Sequence, residues 1–306
     1  MLRFFVRRLI ATFPLVLIVV SVTWGLIRLA PGNFYISERA LPPSIEKNIR
    51  AKYGLDLPWY VQYGKMIANT ARGDFGTSLK YEGQSVNTIL ARTIPVSATL
   101  GLLAYLLALA VGITSGTIAA LRHNSKWDYS SMATAMVGIS VPNFVLGPLL
   151  VLVFSLTLYW LPSARWEGFP SWSMVLPVIT LSGIYMAYIA RLTRSGILDV
   201  LRSDYVRTAR AKGLSERQVV MRHVLSGGLL PVLSFSGPAL AYLITGTVVV
   251  ERIFALPGVG NYFIHANLNR DEPLILGIVA FLSILILVFN LLVDVAYGLI
   301  DPRIRY

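Results

Sequence analysis

The stretch MLRFFVRRLIATFPLVLIVVSVTWGLIRLAPG, residues 1–32, consists of a basic start and a long apolar run. The apolar part, Leu9–Leu29, is long enough to cross the roughly 30 Å hydrocarbon core of a membrane as a helix that rises about 1.5 Å per residue. The run is too long for a secretory signal peptide, and it lacks a small-residue cleavage pattern such as A-x-A. We therefore expect a first transmembrane helix that is retained.

Five further apolar runs are also long enough to span a membrane. The chain has 306 residues, of which 55% are hydrophobic and 14% charged, and its mean hydropathy is +0.65. The sequence therefore predicts an all-α membrane protein with six transmembrane helices and both termini on one side. The other five predicted spans are Pro95–Leu121, Met132–Trp160, Trp172–Ile189, Leu229–Val250 and Leu274–Leu299.

The basic residues predict the orientation of these spans, because Lys and Arg accumulate in cytoplasmic loops. The short segments on the side of the termini carry 15 Lys and Arg, whereas the two short loops on the other side carry 3. Both termini are therefore predicted to be cytoplasmic. Residues 1–30 would form the N-terminus and first helix, and residues 31–94 a large extracytoplasmic loop. Residues 95–306 would form a five-helix domain that contains a cytoplasmic segment at 195–228, called the basic loop below.

Several kinds of chemical site have no signature in the sequence. The phosphate-binding pattern G-x-x-x-x-G-K-[ST] does not occur, so any ATP would be bound by another chain. The chain has no cysteine, and His123, His223 and His265 lack the spacing H-E-x-x-H. We therefore predict no catalytic residue, no metal and no cofactor. The net charge of +12 is interpreted as a topology signal and not as a sign of nucleic-acid binding.

Four ionisable residues lie near the ends of predicted spans. We interpret Arg28, Arg191 and Glu251 as interfacial, because charged groups are costly inside a membrane. Asp294 is the deepest of the four in the sequence pattern. A polar contact between helices is the preferred interpretation of Asp294, and a role in a proton relay is the alternative.

The basic loop carries local signals for two helices. Apolar spacing from Ser195 to Lys212 predicts a helix, and Gly213 would end it because glycine readily adopts the left-handed backbone conformation. The run Ser215-Glu216-Arg217-Gln218 is an S-x-x-Q capping box, so a short second helix is expected to begin there. Such a protruding element would fit a groove in a soluble partner. An amphipathic helix on anionic lipid is the alternative.

The segment DYVRTARAKGLSERQVVMRHVLSGGLLPVLS, residues 204–234, resembles the cytoplasmic EAA loop of ABC importer permeases. The resemblance is to the dipeptide and oligopeptide branch, and is closest to the oligopeptide permeases. It extends over nearly the whole chain through segments in the same order and spacing: RLAPGNF, ERALPPSIEKNI, AKYGLDLPWYVQY, GDFGTSLKY, KWDYS, RIFALPGVG, NRDEP and DPRIRY.

The resemblance implies a type I ABC importer permease fold in the inner membrane of a bacterium. It also implies that this chain forms a heterodimer with a second permease subunit. The other implied partners are an extracytoplasmic peptide-binding protein, two cytoplasmic ABC ATPase subunits and membrane lipid. The EAA loop would dock the ATPases. The coupling residues implied in this way are Arg207, Ala209, Gly213, Leu214, Ser215, Glu216, Arg217 and Gln218.

Three residues depart from the patterns expected of the family. Arg207 stands where the general EAA motif has a glutamate, and Ser226 stands near its later proline, as in the peptide branch. Glu272 stands where we would expect an aromatic residue in close relatives. The role of the motif's glutamate is therefore not assigned to Arg207.

The leading functional hypothesis is a pathway-forming subunit of an oligopeptide importer. Dipeptides, cell-wall peptides or a chelated metal are alternative substrates within the same branch. A membrane receptor or scaffold that recruits a soluble protein without transport is a hypothesis of another class. Spans that are rich in glycine or broken by proline, at residues 111–120 and 141–150, favour a moving pathway, although close helix packing alone is the alternative.

Overall fold

The computed structural model describes residues 2–29, 47–48, 51, 54–163, 166–245 and 248–300. These residues are mainly helical and contain one isolated β-bridge, between Thr77 and Ser85. The predicted all-α class is confirmed. The α-helices are α1 Leu2–Leu29, α2 Trp59–Ala71, α3 Val86–Leu121, α4 Lys126–Ser140, α5 Asn143–Leu150, α6 Val175–Leu201, α7 Asp204–Ala211, α8 Glu216–Val219, α9 Leu225–Gly228, α10 Leu230–Thr245, α11 Val248–Ile253, α12 Val259–Asn269 and α13 Glu272–Ile300.

Four helical segments in the described residues are long and apolar enough to cross a membrane. The two helices Lys126–Ser140 and Asn143–Thr157 pass the same test together, and Pro14–Leu29 is a shorter apolar helix. The count is therefore four spans, or five if the pair is one span, and the expected number of six stays a prediction. The four segments are Val86–Leu121, Trp172–Leu201, Leu230–Ile253 and Glu272–Val293.

The expected third span, Met132–Trp160, differs from the structure because its helix breaks near the middle. Pro142 lacks a backbone N–H, and its ring disfavours helical backbone at the preceding residue. Val141 is accordingly extended, with φ −92° and ψ 112°. The chain bends by 103° at this break, and a π-helix, Val151–Thr157, follows α5.

The chain forms two compact units, residues 1–95 with 258–287 and residues 96–257 with 288–306. In the first unit, α1 packs on α13 through a cluster that includes Val20, Trp24 and Ala280. Tyr63 of α2 lies against α1, with its ring centroid 5.3 Å from that of Trp24. The predicted domain boundaries stay a prediction. Glu46, in the predicted outer loop, lies outside the described residues.

A buried carboxylate, Asp271, organises the segment before α3 in the first unit. Asp271 is fully buried and accepts hydrogen bonds from the amides of Leu79, at 3.0 Å, and Lys80, at 3.2 Å. It also accepts a hydrogen bond from the hydroxyl of Ser78. These donors compensate for the loss of water around the carboxylate.

Small residues allow close helix crossings in the second unit. A Cβ atom at Gly116 would lie 2.4 Å from the carbonyl oxygen of Ala190, and one at Gly112 would lie 2.7 Å from Ile189. Since a real Cβ cannot approach so closely, only glycine permits α3 to pack on α6 in this way. The surrounding core includes Leu100, Ala104, Ala108, Ile189 and Leu243.

Glu251 lies inside the protein, and the interfacial depth expected for it stays a prediction. Glu251 is fully buried in the second unit, where it accepts a hydrogen bond from the Ser97 hydroxyl at 2.5 Å. The two residues are 154 positions apart, so a local sequence pattern could not reveal this partner. Two other residues were expected near span ends. Arg28 forms an ion pair with Glu272 at 3.3 Å, and Arg191 is exposed. The side chain of Asp294 is not among those described.

Candidate functional site

The basic loop begins as a continuation of α6 and contains a helix break that was not predicted. We expected one helix from Ser195 to Lys212, but α6 ends at Leu201 and α7 covers Asp204–Ala211. The Ser203 hydroxyl donates a hydrogen bond to the carbonyl of Val200 at 2.6 Å. Such local side-chain bonds compete with continuation of a helix. The serine followed by Asp204 was a signal for a new helix start.

The glycine elbow predicted at Gly213 is confirmed. Gly213 has a φ of +80°, in the left-handed region, and a Cβ atom built on it would meet no other atom within 4 Å. Backbone conformation, and not crowding, therefore favours glycine here.

The predicted capping box is confirmed in both directions. The hydroxyl of Ser215 accepts a hydrogen bond from the amide of Gln218 at 3.4 Å. The amide of Ser215 donates to Oε1 of Gln218 at 3.1 Å. Helix α8 consequently begins at Glu216. The two bonds satisfy amides that would otherwise lack partners at the start of the helix.

The inner face of the basic loop is apolar and packs on the ends of α3 and α6. Ala120 of α3 and Ile197 of α6 belong to the same buried cluster as Ala209, and Leu214 is partly buried against it. Ala209 is only 5% exposed, so its contribution is packing within the chain. The other buried members are Val206, Val219 and Val224.

Helix α9 contacts α6 directly through glycine. A Cβ atom at Gly196 would lie 2.2 Å from the carbonyl oxygen of Gly228, and one at Gly228 would lie 2.8 Å from the side chain of Ile197. The backbones are therefore in contact with no side chain between them. The pair Gly227-Gly228 was a sequence signal for this close contact between helices, but we did not predict the contact.

The outer face of the loop is polar. Arg207, Glu216, Arg217 and Gln218 are all exposed. Arg207 lies 3.5 Å from the carboxylate of Asp204 and donates a hydrogen bond to a backbone carbonyl at 3.2 Å. The apolar inner face holds the loop in place, so this exposed polar surface is suited to binding another molecule.

A bidentate ion pair between Arg210 and Glu216 connects α7 to α8 across the elbow. Nη2 of Arg210 lies 2.6 Å from Oε1 of Glu216, and Nε lies 3.1 Å from Oε2. The hydrogen bonds from the guanidinium stabilise the carboxylate and hold the pKa of Glu216 below its ordinary value. The same hydrogen bonds raise the pKa of Arg210. Glu216 was among the coupling residues implied by the resemblance, whereas its partner Arg210 was not.

A second polar cluster connects α6 to the start of α4. Arg194 places Nε 2.6 Å and Nη2 2.8 Å from the two carboxylate oxygens of Asp128, which is buried. Nδ1 of His123 lies 3.2 Å from the same carboxylate. Asp128 and Arg194 are 66 positions apart, so no local pattern predicted this cluster.

Two solved transporter structures resemble this fold. The inward-facing MetNI methionine ABC transporter matches with a TM-score of 0.57 and 15% identity, over 70% of this chain and 96% of that chain. An amino acid ABC transporter matches with a TM-score of 0.51 and 16% identity, over 69% and 93% of the two chains. The expected type I ABC importer permease fold is confirmed.

Curated relatives are similar over the full length. Oligopeptide transport system permease protein OppB is 47% identical in Salmonella typhimurium and 45% identical in Haemophilus influenzae, over all of both chains. Dipeptide transport system permease protein DppB of Bacillus subtilis is 41% identical, over 100% of this chain and 98% of that protein.

Two family profiles match successive parts of the chain. Residues 112–306 match the profile described as binding-protein-dependent transport system inner membrane component, and residues 1–100 match the N-terminal profile of the same kind. The first of these alone covers more than half of the 306 residues. The chain therefore belongs to the family of binding-protein-dependent transport system inner membrane components.

Proposed function

We propose that this chain is a permease subunit of an ATP-driven oligopeptide importer, in which it forms part of the translocation pathway. The observation that carries the proposal is identity of 45–47% over the full length to proteins named as oligopeptide permeases. ATP is hydrolysed by separate subunits, and this chain supplies no catalytic residue. The absence of a phosphate-binding G-x-x-x-x-G-K-[ST] pattern supports this division of labour.

The importer also contains a second permease subunit, two cytoplasmic ABC ATPases and an extracytoplasmic peptide-binding protein. The family description, which specifies binding-protein-dependent transport, and the similarity to ABC transporters support these partners. The chain lies in a bacterial inner membrane with both termini in the cytoplasm. The 15 to 3 distribution of basic residues supports this orientation.

The basic loop is the segment that docks the ATPases. Its capped helix α8 follows an elbow that is held by Gly213 and by the ion pair of Arg210 with Glu216. The exposed polar face is available for a groove in a partner, while the buried apolar face fixes the loop to the membrane helices. This division supports a docking element over a helix that rests on lipid, since Val206, Ala209, Val219 and Val224 are already buried within the chain, although Tyr205 and Met221 are exposed.

A displacement of the docked loop passes to the pathway through two rigid contacts. The glycine contact between α9 and α6 carries it into α6, and the ion pair of Arg194 with Asp128 carries it onward to α4. Packed cores and buried ion pairs transmit such shifts because they do not deform continuously. Close packing at Gly112 and Gly116 extends the connection to α3.

An uptake experiment tests the substrate. The complete transporter, expressed with its own partner proteins in cells that lack peptide permeases, should import a labelled tetrapeptide in an ATP-dependent manner. An excess of unlabelled oligopeptide should compete more strongly than an excess of dipeptide. Import of dipeptides alone would instead favour a second candidate, dipeptide transport, which the 41% identity to DppB supports. Absence of any peptide uptake by an assembled complex would overturn the proposal.

A further inference from the structure

A lateral groove of about 410 Å³ lies between α3, α4 and α6 in the second unit. The groove lies within helices that are apolar enough to span the membrane, or within the bent pair that passes that test together. Its wall is mainly apolar and includes Val111, Ile118, Ala135, Met186, Ala187 and Ala190. An apolar ligand could therefore be accommodated in the groove at the depth of these apolar helices.

The hydroxyl groups in the groove wall are already occupied by backbone carbonyls. Ser115 donates to the carbonyl of Gly112 at 3.2 Å, and Ser131 donates to the carbonyl of Ser115 at 3.3 Å. Ser130 and Thr134 donate to carbonyls of their own helix, at 3.2 and 2.9 Å. Since their protons are engaged, these hydroxyl groups have no donor left for a ligand. The groove is chemically matched to an aliphatic chain.

One end of the groove is cationic. Trp127 lines the groove and is 60% exposed, and the guanidinium carbon of Arg122 lies 5.3 Å from the centroid of its ring. Lys126 is the next residue and is also exposed. In the part of the chain that the structure describes, neither Arg122 nor Lys126 forms an ion pair. The nearby carboxylate of Asp128 is buried and paired with Arg194, so its charge is neutralised.

We propose that this groove binds one acyl chain of an anionic phospholipid, whose phosphate is held by Arg122 and Lys126 beside Trp127. An apolar groove lined at one end by an exposed tryptophan, with the exposed cations Arg122 and Lys126 beside it, has the three features of such a site: a hydrocarbon slot, a positive headgroup site and an interfacial aromatic residue. The predicted topology places the cations at the cytoplasmic surface of the membrane. This inference concerns a lipid that stays with the transporter and is separate from the peptide that it would carry.

The test is native mass spectrometry of the purified, delipidated transporter complex titrated with dioleoylphosphatidylglycerol or dioleoylphosphatidylcholine. We expect preferential retention of phosphatidylglycerol by the parental complex. The double variant Arg122→Gln/Lys126→Gln should lower that retention about 30-fold, because each basic residue near an anionic surface contributes about 1 kcal/mol. Glycerophosphoglycerol, which has the headgroup without acyl chains, should not compete.

Matched controls separate the site from general effects. Lys65→Gln/Arg72→Gln removes two exposed basic residues of the first unit and should leave retention unchanged. Ala135→Phe fills the groove and should lower binding of the lipid, whereas Ala133→Phe lies on the same helix outside the groove and should not. If Ala135→Phe does not assemble, the double variant of exposed residues still tests the proposal.

Three outcomes would overturn the proposal. Equal retention of the two lipids would remove the role of the cations, and unchanged retention in the double variant would do the same. Efficient cross-linking of a cysteine at Thr134 to the second permease subunit would show that protein, and not lipid, covers the groove. Cross-linking is a clear readout because the chain has no cysteine of its own.

Discussion

Some residues of the basic loop determine its backbone conformation, and others are exposed on its outer face, where a partner could contact them. Gly213 adopts a left-handed backbone with open space around it, and Ser215 and Gln218 form a reciprocal cap. Arg207 and Arg217 are exposed on the outer face. Substitutions in the first group should alter the geometry of docking, whereas substitutions in the second should alter contacts with the partner.

Replacement of Ser215 by alanine should weaken α8 without abolishing transport. Loss of a helix cap costs about 0.5–2 kcal/mol, which frays a short helix that remains fixed by buried neighbours. We expect partial loss of peptide uptake in proteoliposomes, with Ser215→Asp as the control because aspartate caps helices well. Equal loss in both variants would show that the serine hydroxyl itself is required and that the cap is not its role.

The ion pair of Arg210 with Glu216 should make the elbow sensitive to acid. The pKa of Glu216 is lowered in the folded loop from an ordinary value of 4.5. Its stabilising contribution is therefore present above pH 4.5 and is lost as the pH falls through the lowered folded value. Hydrogen exchange of the elbow amides should be equally slow, after correction for intrinsic rates, from pH 7 to pH 5. Glu216→Gln should exchange faster throughout that range, and protection identical to the parental protein would contradict the prediction.

At the scale of elements, the contact between α9 and α6 should tolerate no side chain at Gly196. A Cβ atom there would lie 2.2 Å from a backbone oxygen that cannot rotate away. Gly196→Ala should therefore lower the free energy of unfolding by about 1–3 kcal/mol, a usual cost of overpacking. Gly183→Ala is the control, since its Cβ would make an ordinary 3.5 Å contact with Leu146. Thermal unfolding of the purified complex measures both, and equal melting temperatures would refute the role of the contact.

Features that depend on neighbouring residues could be predicted from the sequence, and features that depend on distant residues could not. The elbow at Gly213 and the cap formed by Ser215 and Gln218 depend on six successive residues, and both are present. The bend after Val141 had a local cause in Pro142, but a long apolar run concealed it. Glu251 is buried and accepts a hydrogen bond from Ser97 of a different helix, and no periodicity connects the two residues.

At the scale of the whole molecule, the orientation in the membrane is open to direct labelling. The chain has no cysteine, so a single introduced cysteine reports one position. We expect Glu82→Cys to react with an impermeant maleimide from outside the cytoplasm, and Arg217→Cys to react only from the cytoplasmic side. Both residues are exposed in the structure. Reaction of both positions from the same side would contradict the predicted topology.

The whole account depends most on coupling through the basic loop. Gly213→Glu should both strain the left-handed backbone and obstruct a partner's groove, whereas Gly213→Asn should be tolerated because asparagine accepts that conformation. The decisive measurement is co-purification of the ATPases with each variant, together with uptake of a labelled oligopeptide. We predict that Gly213→Glu inserts into the membrane normally but loses both properties, while Gly213→Asn keeps both. Normal insertion of Gly213→Glu with parental ATPase binding and parental uptake would contradict the assignment of this loop as the coupling element.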